Sequence, residues 1–208
     1  NINLKINDNP FIIDFINFEK NIKNNLDLKI EGTFKNNTLR FNQITLSENE
    51  NILSVQNLIL SNDYKIEEIK NIKLSYIDKT KQKNELELKK DKKNYIIVGD
   101  SFNADKFITN LLKSKKDDKK NFFNKNFNLK VDIKNVFLDQ NNTINNLKGS
   151  ISFINNEVTE LNLDSKFSNK QSIQFTIKKN NSEKITTLFS KEAKPLVDRY
   201  KFIKGFSE

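Results

Sequence analysis

Apolar and polar residues trade places at every second position along most of this chain. Leu26, Leu28 and Ile30 alternate with polar residues, as do Phe127, Leu129, Val131 and Ile133, and then Ile173, Phe175 and Ile177. A period of two sends neighbouring side chains to opposite faces of a strand, so each segment reads as a strand with one oily side and one wet side. Such strands suit antiparallel sheets better than parallel ones, whose strands are buried on both faces. Roughly a dozen segments fit the pattern. At ~4.8 Å between strands, one sheet of that size spans over ~50 Å, and open twisted sheets so wide curl or fold over. The expected fold is therefore mainly β with two or three short helices: a long antiparallel sheet that either folds over into a sandwich or curls so that its apolar faces line a groove.

The helices are few and localised. Asn94 to Leu112 reads as a strand that stops at Gly99 and becomes a helix. Tyr95, Ile97 and Val98 favour a strand, and Gly99 can break it without steric cost. Asn103 is a good N-cap for Asp105 or Lys106, with Phe102 and Phe107 placed as a hydrophobic staple. Phe107, Ile108, Leu111 and Leu112 then share a face. Phe11 to Ile22 is a second helical candidate, although Ile13 and Phe18 fall off its face. A third runs from Ala193 through Leu196, Val197, Tyr200 and Ile203 to Gly205, with Pro195 placed awkwardly for its start.

Breaks in the alternation are as informative as the alternation. Leu39 and Phe41 share a face, but Ile44 and Leu46 follow out of phase, which predicts a bulge near Asn42 or Gln43. Val136 to Leu138 slips in the same way. Leu86 and Leu88 should pair with Tyr95 to Val98 across the turn from Lys89 to Asn94. Gly32 with Asn36-Asn37 and Gly149 with Asn155-Asn156 open similar hairpins, a weak internal repeat. The charge run at 113–121 (Lys-Ser-Lys-Lys-Asp-Asp-Lys-Lys-Asn) reads as a solvated linker between possible sub-modules 1–112 and 122–208.

Composition excludes several chemistries. The chain lacks Cys and His, which removes disulfides, thiolate catalysis and histidine metal ligation. Only carboxylates and lysines remain, and none forms a catalytic constellation. No cofactor is expected. Asp100, Asn103 and Asp105 do not have EF-hand spacing, and Asn103 is better read as a cap. The sequons at Asn36, Asn141 and Asn180 are what a chain so rich in Asn produces by chance. Lys plus Arg number 36 against 27 acids, a net charge of +9, yet only Arg40 and Arg199 are arginine. Nucleic-acid readers lean on arginine for bidentate contacts, so nucleic acid is not an expected partner. Diffuse lysine charge suits solubility and weak attraction to anionic membrane surfaces. No run reaches the ~18 apolar residues of a membrane span. Beginning at Asn, the chain reads as a segment of a longer protein.

Two stretches carry a family likeness. At Gly99-Asp100-Ser101-Phe102-Asn103-Ala104-Asp105, and again from Ser190-Lys191-Glu192-Ala193-Lys194-Pro195-Leu196 to Ile203-Lys204-Gly205, the chain resembles the AsmA-like proteins of Gram-negative bacteria, the YhdP-type members above all. Those carry a strand, Gly-x-x-Phe-Asp and a short helix, then a later helix ending in Gly. Here Asn103 stands for the usual Asp, and Pro195 departs from the usual helix. The resemblance implies a β-groove domain spanning residues 1–208. It implies part of an inner-membrane-anchored, periplasmic, bridge-like protein that passes phospholipid between inner and outer membranes, with no catalysis. Contact with both membranes would then be made by parts outside this segment.

On that reading the groove is lined by one face of each strand. The candidates are Leu26, Leu28, Ile30, Leu39, Phe41, Leu129, Val131, Ile133, Ile151, Phe153, Phe175 and Ile177. Each is equally a plain core residue, and the competing expectation is a scaffold β-domain that aids outer-membrane assembly through protein contacts. Two sheets clasped over a dry core would favour the scaffold.

Overall fold

The computed structural model of the chain describes residues 1–35, 38–106, 125–155, 157–180 and 183–191. A short β1 (Ile2–Ile6) leads to β2 (Ile12–Ile13), a 3₁₀ turn (Asp14–Ile16) and β3 (Phe18–Glu19). Long strands follow: β4 (Leu26–Lys35), β5 (Thr38–Glu48) and β6 (Asn51–Leu60). Next come β7 (Ile66–Glu68), β8 (Asn71–Ile77), β9 (Lys83–Asp91) and β10 (Asn94–Asn103). The second half holds β11 (Phe127–Phe137), β12 (Thr143–Ile154), β13 (Glu157–Phe167), β14 (Ser172–Asn180) and β15 (Glu183–Ser190).

Thirteen of these strands form one sheet, ordered β1-β4-β5-β6-β8-β9-β10-β11-β12-β13-β14-β15, with β7 paired to β6. The strand path is open, with β1 and β15 at its two edges. It is not two clasped sheets, nor the curled antiparallel sheet that strand number and alternation predicted. It is also mixed, because β10 and β11 run parallel, Tyr95 facing Leu129 and Val98 facing Asp132. The reason lies in the connection. A two-residue turn can only reverse the chain, whereas residues 104–126 intervene here, long enough for the crossover that parallel pairing needs. The stretch that reads as a linker thus joins halves that share one ladder.

The helical expectations are mostly corrected. Gly99 does not end its strand, and β10 runs on to Asn103. A Cβ at Gly99 would sit 2.4 Å from the Glu85 carbonyl, so glycine there permits close strand approach, not a break. Helix begins only at Asp105 and Lys106, where the Asn103 cap is realised: Asp105 N–H donates to Asn103 Oδ1 at 3.1 Å. Residues 107–121 and the closing helix at 193–205 lie outside the described residues. Phe11 to Ile22 is not a helix but a tight hairpin, Ile13 pairing with Phe18 around the 3₁₀ turn. Asn17 closes it with φ 59°, a left-handed conformation that Asn tolerates. The two residues that fitted the helical face badly, Ile13 and Phe18, are the inward pair of that hairpin. Tyr64 lies in the turn before β7, with positive φ.

The phase slips are real and they line up. Between β4 and β5 the register shifts so that Asn42 is the extra residue, because Glu31 faces Gln43 while Gly32 faces Phe41. The slip is carried through Asn57 of β6, which has φ 49°. A second line of slips crosses β10, β11 and β12 at Asp100, Lys134 and Asn146. Because adjacent strands slip together, their registers persist while the apolar phase resets. Gly149 lies beside this line with φ +149°, and a Cβ there would stand 1.9 Å from the Asn162 carbonyl oxygen.

The apolar face and its closed end

Residues that face each other across a ladder share a face of the sheet, so the registers sort the side chains. From β1 to β15 one face reads Leu4, Leu28, Leu46, Leu53, Leu74, Leu86 and on across β10 to Ile133, Leu147, Leu163, Phe175 and Leu188. All twelve candidates named from the sequence fall on this same face, those after each slip included. The opposite face carries Lys29, Thr45, Ser54, Lys73, Glu87, Lys130, Lys148, Asn162 and Gln174. One side of a sheet one strand thick is therefore apolar across its whole width.

Cover on that face is uneven. Leu26 is wholly buried, and Val131, Ile133 and Ile177 nearly so. Leu28, Ile30, Leu39, Phe41, Leu129, Ile151, Phe153 and Phe175 are only half-buried, although most lie well inside the sheet. One packed cluster gathers Leu86, Val131, Ile133, Val136, Ile144, Phe167 and Ile173. A second gathers Ile16, Phe18, Leu26, Leu46, Leu53 and Tyr76. Leu74 and Phe102 touch both.

The second cluster exists because the hairpin of residues 11–20 lies over one end of β4, β5, β6 and β8. Phe18 is 0 % exposed and meets Tyr76 edge to face at 5.7 Å, and Tyr76 Oη–H donates to the Ile16 carbonyl at 2.6 Å. Burial of Ile16 and Phe18 contributes about 1.5–3 kcal/mol each. Lys20, also buried, gives its ammonium to the carbonyls of Asn7, Asn21 and Ile22. Beside it the buried Glu48 carboxylate accepts from Asn21 N–H at 2.8 Å, Asn24 at 3.0 Å and Asn51 at 3.3 Å. The opposite end carries an aromatic row: Tyr95 meets Phe127 edge-on at 5.2 Å, and Phe127 stacks on Phe153 at 4.7 Å. The face is thus stoppered at the Tyr76 end of β4–β8, and no such hairpin lies over the Phe153 end among the described residues.

A buried polar junction adjoins the stoppered end, and nothing in the sequence pattern announced it. Asp78 accepts from Thr80 N–H and Oγ1–H at 2.8 and 2.7 Å, from Gln82 N–H at 3.0 Å and from Asn103 Nδ2 at 2.7 Å. Burial raises the carboxyl's pKa, but those donors, Thr80 and Asn103 foremost, outweigh it and hold the group below its ordinary 3.8. Asn84, fully buried, accepts from Asn103 N–H at 2.7 Å. One asparagine therefore caps the helix, braces a buried carboxylate and ends β10. Asp100, by contrast, faces outward and pairs with Lys134 at 2.6 Å, so Asp100, Asn103 and Asp105 do not converge on a cation. The polar face is laced with ion pairs such as Lys89–Glu87 at 2.7 Å and Lys148–Asp132 at 3.0 Å.

Among the described residues no helix is long and apolar enough to cross a membrane. Comparison with protein-family models, with curated proteins and with solved structures found no match.

Proposed function

We propose that the chain is a non-catalytic segment of a lipid-transfer protein of the bacterial envelope, lying in the periplasm as part of an inner-membrane-anchored protein. Its apolar face carries phospholipid acyl chains between inner and outer membranes. The observation that carries this reading is the continuous apolar face, half-covered at Leu28, Ile30, Phe41, Phe153 and Phe175 and backed by a polar face. Apolar surface of this extent is unfavourable in water, and acyl chains are apolar partners that need no directional bonding. The same absence of directional bonds lets a tail slide from strand to strand with little change in energy. Headgroups stay in water, within reach of the lysines that fringe the sheet.

Arg40 and Phe41 give the test, being adjacent residues on opposite faces. Phe41→Glu should lower the phospholipid extracted with the purified chain at least fivefold, while Arg40→Glu leaves it unchanged. Equal recovery from both variants, or none from the unmodified chain, would sink the reading. A scaffold role is the second reading. It is favoured where Ile16 and Phe18 fill the Tyr76 end with protein, as a scaffold's core would be filled throughout.

A further inference from the structure

We infer that residues 11–20 are a displaceable strap: Ile16 and Phe18 occupy the Tyr76 end of the apolar face until an acyl tail takes their place. This rests on the acyl-carrying reading of the face above. The strap differs in kind from the rest of the fold. Every other strand of the face except β1 and β7 is at least seven residues long and is laddered to its neighbours. The strap has two strands of two residues, paired only to each other, and joins the sheet almost wholly through side chains. Its backbone reaches the sheet region at Lys79 N–H to the Asn17 carbonyl, 3.4 Å, and through the Tyr76 phenol.

The strap's docking also carries a polar cost. Asn17 is 2 % exposed, yet its Oδ1 finds no donor among the described residues. A buried acceptor left unpaired favours any state that returns it to water. Lys20 is buried with its ammonium on three carbonyls. The outer side of the strap is apolar as well, with Ile12 and Phe15 more than half exposed. Lifting the segment forfeits the burial of Ile16 and Phe18 but frees the unpaired Asn17 acceptor, and an acyl tail seated in their place restores apolar cover. The same motion uncovers Leu26, Leu46, Leu53 and Tyr76, which extends the open face along the full length of β4 to β8. Tail and strap therefore compete for one surface, and ligand binding shifts the strap's population outward.

The chain has no cysteine, which makes a lock simple. Asn17→Cys with Lys79→Cys joins the strap to the β8–β9 turn when oxidised. Cis-parinaric acid titrated into the 208-residue double variant, followed by its fluorescence, should bind at least fivefold more weakly when oxidised than when reduced. In the unmodified chain, saturating parinaric acid should speed amide exchange at Asn17 and Lys20 at least tenfold, a readout that needs no substitution. Equal binding in the two redox states, or exchange indifferent to the ligand, would show the strap to be fixed core and overturn the inference while leaving the acyl reading intact. Absence of parinaric acid binding in every form overturns both.

Discussion

Asn103 reaches across from the end of β10 to place its Nδ2 2.7 Å from the Asp78 carboxylate, while its Oδ1 accepts from Asp105 N–H at 3.1 Å. The bond ties the β8–β9 turn to the start of the crossover that makes β10 and β11 parallel. Asn103→Ala removes the cap and a donor to a buried anion together. It should cost about 2–3 kcal/mol, read from the denaturant midpoint.

The same junction sets an acid limit. Asp78 is held below 3.8 in the folded chain, so its ionised form adds stability that is fully present above that pH. The contribution is lost as pH falls through the depressed folded value. Asn103→Ala, by removing a donor, should move acid unfolding to higher pH, as followed by circular dichroism. An unchanged acid midpoint would mean that the carboxylate does not depend on Asn103.

Tyr76 gives the opposite limit. Burial and the nearby Asp78 push its phenol above the ordinary 10.0, so the unfolded chain ionises first. Stability from this group is present below about pH 10 and falls as pH rises past it. Spectroscopic titration should show one phenol that ionises only on unfolding, and Tyr76→Phe should remove it. That variant should also lose about 1 kcal/mol with the bond to Ile16.

Much of the sheet was legible in the chain because alternation is a local signal. The bulge at Asn42 could be read from Phe41 and Ile44 falling on one face, and the β9–β10 hairpin from Leu86, Leu88 and the turn after them. What could not be read depends on partners distant in sequence. Gly99 looks like a strand end until Glu85 is found against it. Phe18 looks like a misfit in a helix until Tyr76 supplies its seat. The parallel β10–β11 pair has no local signature, because both strands alternate as antiparallel ones do. Of the candidate site, the face was legible and its cover was not: alternation says which residues share a side, and nothing in it foretells that residues 11–20 fold back over one end.

The slip line at Gly149 should be intolerant of any side chain. Gly149→Ala combines a positive φ with a contact of 1.9 Å to the Asn162 carbonyl. It should cost about 3 kcal/mol in thermal or chemical denaturation. Asp100→Asn, which breaks the exposed pair with Lys134 on the polar face, should leave the midpoint where it was. Similar losses from both would mean that the aligned slips are not what shapes the sheet.

Ser152 and Phe153 are neighbours in β12 that point to opposite faces, paired with Asn128 and Phe127. A photo-crosslinking side chain placed at each in turn, activated in cells and followed by mass spectrometry, tests the apolar face most directly. Phospholipid adducts at 153 and not at 152 are the predicted result. Adducts at neither position, or equally at both, would contradict the account.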